Sequence, residues 1–301
     1  MFENLETGGA QGKYRIIQTA AEQYPVTELC SLLGVSRSGY YRYLSRLDYD
    51  KDYETKERIK AIYEQRNGTY GYRRIEDELE RQYEVKVNHK KVLRLMQELD
   101  LKAVIRRKRD YRSTYQAAET YGRVADNLIK RDFTADQPNQ KWVTDVTQYR
   151  VGDGRIYLSA IKDLCSTEIV AYHISKRNDN DLVLETFKAA FEAQKDATGK
   201  IAGLIVHSDQ GFQYTSHAYH DMLPKVGAQI SMSRRGNCLD NAAMESFFSH
   251  LKAEALYPYD IRSLDEAQRR IEEFIYFYNH ERIQRKLNKL TPVEFRRQLA
   301  A

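Results

Sequence analysis

Three carboxylates in this sequence fall where they could do chemistry together. Asp145 lies within Trp142-Val143-Thr144-Asp145-Val146-Thr147, the middle of a segment rich in β-formers. A carboxylate in the first strand of a mixed sheet is expected to be largely buried. Burial without compensation is costly, so it needs a cation, a metal or a dense set of donors. Asp209 follows the apolar run Leu204-Ile205-Val206, in His207-Ser208-Asp209-Gln210-Gly211. Ligands of open α/β sheets gather at the carboxyl ends of strands, although taken alone Asp209 reads as a turn residue. Glu245 sits at the border of an apolar stripe formed by Met244, Phe247, Phe248 and Leu251. Taken alone it reads as a solvated glutamate. Together, without partner histidines or cysteines, the three make an all-oxygen site for a hard cation, Mg²⁺ or Mn²⁺ rather than zinc. Two such ions about 3.5–4 Å apart can stabilise the attacking and leaving oxygens of an in-line phosphoryl displacement.

The elements that must position these residues are legible from residue 139 onward. Strands are expected over 141–150, 155–163 and 169–175, with Gly152-Asp153-Gly154 as a hairpin turn. Asp181 caps a helix to about 194, a strand covers 204–206, a helix 216–226, a strand 229–232, and Asp240 opens a long helix. The order β-β-β-α-β-α-β-α implies an α/β domain with a mixed five-stranded sheet flanked by helices. On the last helix, Ser249 and Lys252 follow Glu245 at i+4 and i+7, on the same line. A cation there would meet the next phosphates of a chain held at the carboxylates. The alternative is that Lys252 caps the helix C-terminus, with Pro258 marking the stop. Asn241 reads as serving the helix start rather than a metal, and His207 as packing beside the strand end.

The first hundred residues read as all-α. A helix over 13–24 ends at Pro25, and Val26, Leu29, Cys30 and Leu33 form one stripe of the next. Gly34 is the turn residue, Val35 a core plug and Ser36 an N-cap, the plan of a helix-turn-helix. Its second helix would present Arg37, Ser38, Tyr41 and Arg42 to DNA; an ordinary helical hairpin is the alternative. A second module has helices over 52–65 and 73–82, a short strand at 85–87 as a rudimentary wing, and a helix capped by Asn88. That helix buries Val92, Leu95, Met96 and Leu99 and exposes Lys90 and Lys91. The basic run Arg106-Arg107-Lys108-Arg109 follows, read either as a phosphate contact or as a solvated helix end. Polar residues 111–137 lack periodicity and read as a linker.

Composition narrows the class. The formal charge is +5, from 48 basic and 43 acidic residues, a modest excess whose clustering matters more than its size. No run of 18 or more apolar residues exists, so no membrane span is expected, and the first residues lack the pattern of a signal peptide. Three widely spaced cysteines suggest neither a disulfide framework nor a zinc ribbon, and a reducing cytoplasm is expected, with nucleoid association when bound to DNA.

The local text resembles the transposases of the insertion-sequence-three family, specifically their downstream reading-frame product. Between Asp209 and Glu245 lie 35 residues, the spacing of the D,D(35)E signature. Around them stand W-x-T-D-x-T (Trp142 to Thr147), H-S-D-x-G-x-Q-Y (His207 to Tyr214) and S-x-x-G-x-x-x-D-N-A-x-x-E-S-F-F (Ser233 to Phe248). Tyr278-Asn279, Arg282, Leu287, Thr291-Pro292 and Phe295 resemble the family's closing motifs. At the front, L-G-V-S-R-S-x-Y-Y and Gly71-Tyr72-Arg73-Arg74-Ile75 resemble its DNA-binding segments.

The resemblance implies a ribonuclease-H-like catalytic core also found in retroviral integrases. It implies two divalent ions held by Asp145, Asp209 and Glu245, a nick beside the 3′ end of an element, and attack of the freed 3′ hydroxyl on another phosphodiester. Lys252 matches a basic position of integrase-like enzymes, and Arg73 and Arg74 join the DNA-contacting set. The implied partners are double-stranded DNA, as terminal repeats and target, and further copies of the chain on paired ends. No sustained leucine-zipper heptad is found, a feature the family supplies from its upstream frame, so a fusion with that product is implied as the active form. The expected partition is a helix-turn-helix module (1–50), a second one (51–112), a linker (113–137), a catalytic core (138–257) and a C-terminal helical extension (258–301). A purely hydrolytic nuclease and a repressor that has lost catalysis are the competing readings. A tyrosine recombinase fails, because none of the seven histidines has arginine at i+3.

Overall fold

The computed structural model describes residues 9–47, 50–104, 122–234 and 238–300. The basic run 106–109 lies outside them. The chain divides into two compact units, Met1–Lys102 and Ala103–Ala301.

In the first unit, α1 (Ala10–Ala20), α2 (Val26–Leu32) and α3 (Arg37–Leu47) close around Ile17, Leu29, Cys30 and Tyr40. Gly34 adopts φ +63°, a left-handed turn conformation that favours glycine, and Ser36 Oγ accepts from the Gly39 N–H at 3.1 Å. Next come α4 (Tyr53–Gln65), α5 (Tyr72–Tyr83) and α6 (His89–Glu98), whose shared core includes Ile59, Ile62, Ile75, Leu79, Val92 and Leu95. Asn88 caps α6 through the Lys90 N–H. The strand expected at 85–87 does not form. Glu84 turns left-handed at φ +56°, and the Val85 N–H closes the end of α5 on the Leu79 carbonyl.

The second unit holds β1 (Lys141–Val151), β2 (Gly154–Asp163), β3 (Ile169–Ser175), β4 (Ile205–Ser208) and β5 (Gln229–Met232), in the order β3-β2-β1-β4-β5. The first three strands run antiparallel, and β4 and β5 are added in parallel. One face carries α7 (Asn180–Gln194) and α8 (His217–Met222) over Trp142, Phe187, Phe191 and Tyr219. Trp142, the only tryptophan, is fully buried and stacks on Phe191 at 6.2 Å. The other face carries α9 (Ala242–Leu251) and α10 (Leu264–His280), whose Met244, Phe247, Phe248, Leu251, Phe274 and Tyr278 pack on Val143, Leu158 and Ala160. The last helix is α11 (Pro292–Ala300).

Several boundaries differ from expectation for local reasons. The cap of α7 is Asp179, which accepts from the Leu182 N–H, and Asp181 sits in the first turn, where a negative charge favours the helix dipole. Pro224 lacks an N–H, so the helix from 217 tightens into a 3₁₀ turn, Leu223–Val226. A 3₁₀ turn, Cys238–Asn241, precedes α9, so Asp240 does not open an α-helix.

The linker expected over 113–137 is corrected from residue 122 on. Ile129 is buried in the core against the sheet, the Leu128 N–H donates to Ser231 Oγ at 2.9 Å, and Asn127 and Arg131 both reach Asp240. The strap shows no periodicity because it combines short local turns, such as the Lys130 N–H on Asn127 Oδ1, with bonds to polar groups of the core. The boundary drawn at 257 is not a packing boundary either. Ala267, Ile271, Phe274, Ile275 and Tyr278 of α10 belong to the sheet's hydrophobic cluster. Ile129→Ala should therefore destabilise the second unit by about 2–5 kcal/mol, read as a lowered urea midpoint. A free linker would leave that midpoint unchanged.

Candidate active site

Strand register brings the two aspartates together. Val143 of β1 pairs with His207 of β4, the last such pair between these parallel strands. Asp145 and Asp209 each lie two residues further on, so they reach the same level where the strands part. Asp145 Oδ1 accepts from the Val146 N–H at 2.7 Å, and Asp209 Oδ1 from the Gly211 N–H at 2.8 Å. The second bond is an Asx-type turn, so Asp209 is a turn residue as well as a neighbour of Asp145. A Cβ at Gly211 would stand 3.0 Å from Asp209 Oδ1, which favours glycine there. Beneath them the buried Tyr214 hydroxyl meets Thr144 Oγ1 at 3.2 Å, and Thr144 Oγ1 donates to the Ala160 carbonyl at 3.0 Å.

Electrostatics reflect this proximity. Asp145 retains some accessible surface but is walled by protein, and desolvation, then repulsion from Asp209, pushes its pKa up to about 8. Glu245 adds further repulsion and Lys252 relieves part of it, so both groups, on α9 and at its end, act on Asp145. Burial also raises Asp209. Glu245 itself is exposed at the rim on α9. Among the described residues no three His, Cys, Asp or Glu side chains converge closely enough to hold an ion, so occupancy requires the carboxylates to draw together. The donor set nevertheless fits a hard divalent cation: adjacent, poorly solvated oxygens whose ionised forms are only partly stabilised by the protein. His207 is excluded as a ligand. Its ring nitrogens are taken by Ser231 Oγ at 2.8 Å and the Asp240 carbonyl at 2.9 Å, and burial lowers its pKa.

The other expected site residues divide into groups. Arg37, Ser38, Tyr41 and Arg42 are all exposed on α3, and Arg73 and Lys90 are exposed on the second module. Arg74 is half-buried over the Tyr70 ring at 5.3 Å, and Lys91 is committed to the buried Asp52 at 2.7 Å. Lys252 does not end its helix, which continues as a π-helical turn, Lys252–Leu256. Asn241 makes no side-chain cap and instead donates to the Thr144 carbonyl. Sequence reading gave Asp240 no role beyond opening the helix. It is buried, and although desolvation raises its pKa, bonds from Arg131 and Arg234 hold it down to about 2. Its place beside Asn241 in the D-N-A text was the available signal.

Family models match along most of the chain: an HTH-like domain over residues 50–109, and integrase core domains over 135–238 and 226–292. The chain is 40% identical over 285 residues to the protein named as the InsK transposase of insertion sequence element IS150 of Escherichia coli (strain K12), covering 94% of this chain and 98% of that one. This chain belongs to the insertion-sequence-three family of transposases. A transposase-like protein of Haemophilus influenzae is 47% identical over 216 residues, 71% of this chain and 95% of that one. The InsF transposase of IS3A of Escherichia coli (strain K12) is 32% identical over 253 residues, 81% and 84%. The HTLV-2 integrase catalytic core, solved with magnesium, is 16% identical, covers 54% of this chain and 98% of that one, and superposes with a TM-score of 0.42. The second unit of the transposase is thus an integrase core of ribonuclease-H-like fold.

A carboxylate with a higher pKa folded than unfolded binds more protons in the folded state between the two values, so stability falls as pH rises. For Asp145 that window runs from 3.8 to about 8. In metal-free buffer, the melting temperature of the parent transposase should decline across this window relative to Asp145→Asn, and the variant should be the more stable at pH 8. Identical pH slopes for the two would remove Asp145 from a repelled, desolvated setting.

Proposed function

We propose that this transposase cuts DNA beside the 3′ end of its element and joins the freed 3′ hydroxyl to another phosphodiester, with Asp145, Asp209 and Glu245 holding two Mg²⁺ or Mn²⁺ ions. The observation that carries this reading is the pair Asp145–Asp209, set level at the parting of β1 and β4, where burial and mutual repulsion raise Asp145 despite partial relief from Lys252. Bound there, the ions would supply charge for the attacking and leaving oxygens of each displacement. The chain's own contribution is placement. The sheet fixes the two aspartates, α9 brings Glu245 to the rim, and the Tyr214–Thr144 layer keeps water out from below. In the first step water displaces the 3′ oxygen from a phosphodiester. In the second the 3′ hydroxyl displaces another, so phosphodiester bonds are exchanged without a covalent link to the protein.

DNA reaches the site through exposed cations. Arg37, Ser38, Tyr41 and Arg42 face outward on α3 and suit a groove contact, with Arg73 and Lys90 on the second module. The run 106–109 extends that set. Arg74 and Lys91 act indirectly, by holding the module's shape. Pairing of two element ends calls for more than one copy of the chain, and fusion to an upstream-frame product would supply further contacts. Among the described residues no helix is long and apolar enough to cross a membrane, consistent with work on DNA in the cytoplasm.

Asp145→Asn, Asp209→Asn and Glu245→Gln should each abolish nicking and joining of element-end DNA in Mg²⁺ while leaving DNA binding intact. Near-parental joining by any one of them would take that residue out of the site.

Lys252 gives a separate test. Its charge already acts on Asp145, and the π-helical turn carries it past the end of α9. Lys252→Ala should lower the joining rate about tenfold or more, the loss expected for one charge-assisted phosphate contact of about 1.5–3 kcal/mol. Lys252→Arg should keep much of it. A lowered melting temperature with normal joining by the folded alanine variant would assign the lysine to the helix end.

A further inference from the structure

Asn241 stands between the two halves of the site. It lies four residues before Glu245, where α9 begins, yet its side chain gives that helix no cap. Its Nδ2 donates at 3.1 Å to the carbonyl of Thr144, the residue before Asp145. One side chain therefore joins the strand that carries Asp145 to the helix that carries Glu245. The Thr144 carbonyl also dictates the amide's orientation, since the flipped form would set two acceptors against each other. Oδ1 is thereby left facing the other way. It is buried, in a side chain only 4% exposed, and among the described residues no donor reaches it. A buried acceptor without a partner is a standing penalty that alanine at this position would avoid.

Resting on the three-carboxylate reading above, we propose that Asn241 is a positioning residue of the metal site: Nδ2 locks β1 to α9, and Oδ1 awaits a donor that arrives with the hydrated ion. Magnesium gives up its waters reluctantly and keeps several when bound through carboxylates, so such a site needs acceptors beyond its direct ligands. Outer partners of this kind orient ligands and set affinity. The unmet oxygen is then explained by the same event that relieves Asp145 and Asp209.

Mn²⁺ alone is the probe, its binding to the full-length chain without DNA followed by electron paramagnetic resonance of the free ion. Saturable binding by the parent and its loss in Asp145→Asn would establish the carboxylate site. Asn241→Ala should then weaken Mn²⁺ about 10–100-fold. Asn241→Gln, which retains both an amide donor and an amide acceptor without adding charge, should recover most of that affinity, and it keeps the test readable if the alanine variant does not fold. Unchanged Mn²⁺ affinity in Asn241→Ala with a lowered melting temperature would overturn the proposal and leave Asn241 a strand-to-helix tie. Failure of Asn241→Gln to recover affinity would overturn the acceptor role. Equal Mn²⁺ binding by the parent and Asp145→Asn would instead sink the carboxylate site itself, a failure seen before any Asn241 variant is made.

Discussion

Like charges held side by side in a poorly solvated place raise each other's pKa and strain whatever holds them there. Asp145 and Asp209 are held this way by backbone register, and the rest of the second unit can be understood as the frame that tolerates it. Ten residue pairs between β1 and β2 fix one aspartate, and the short parallel ladders of β4 fix the other. Trp142 on Phe191 seals one side of β1, while Phe247, Phe274 and Tyr278 seal the opposite face. These layers are apolar, and the relief named for Asp145 is partial, from Lys252 at the end of α9. The frame supplies rigidity and leaves the Asp145 carboxyl well above its ordinary pKa.

A second buried acid, a few residues from Glu245, shows that this shift is local. Asp240 has almost no accessible surface, yet Asn127, Arg131 and Arg234 bond to it and its carboxyl is held down to about 2. The two environments sort one residue type into two duties. Where cations come from the protein, the acid is a clamp, and here it draws the strap of residues 122–137 onto the core. Where the protein gives only partial relief, as at Asp145, the protonated form is favoured until a cation from outside takes the proton's place, which is the pattern expected of a functional carboxylate.

The three carboxylates of the proposed site stood out in the sequence because spacing and surrounding text are local: a β-rich run, an apolar strand end, and a stripe of Met244, Phe247, Phe248 and Leu251 with Glu245 at its border. The helix-turn-helix was legible for the same reason, through Gly34, Ser36 and the polar face of α3. What stayed hidden depends on partners far along the chain. The strap has no period of its own, since it combines short local turns with bonds to Ser231 and Asp240 more than a hundred residues away. The ion pair of Lys91 with the buried Asp52, 39 residues earlier, has no local signal either. Asn241 read as a helix cap because only the folded sheet sets the Thr144 carbonyl within its reach.

The closing motifs of the chain gain a physical meaning from the same frame. Asn279 both donates to and accepts from the backbone of Ile169, at 2.9 Å each way, and so satisfies part of the exposed edge of β3. Thr291 and Glu294 cap α11 reciprocally, with Pro292 at its first position. Arg282 grips Glu254 through two bonds, of 2.5 and 2.9 Å, in a pair that is almost wholly buried. Removing one partner from such a pair costs about 3–5 kcal/mol, because the other is left buried and unpaired. Glu254 lies in the π-helical turn that begins at Lys252, and Arg282 holds that turn from the end of α10. π-turns are rare and are retained mostly at functional sites, since a helix left to itself winds as α. The segment after residue 257 is therefore part of the machinery of the core. Without Arg282 the turn would lose its anchor, and Lys252 would lose the path along which it faces Asp145.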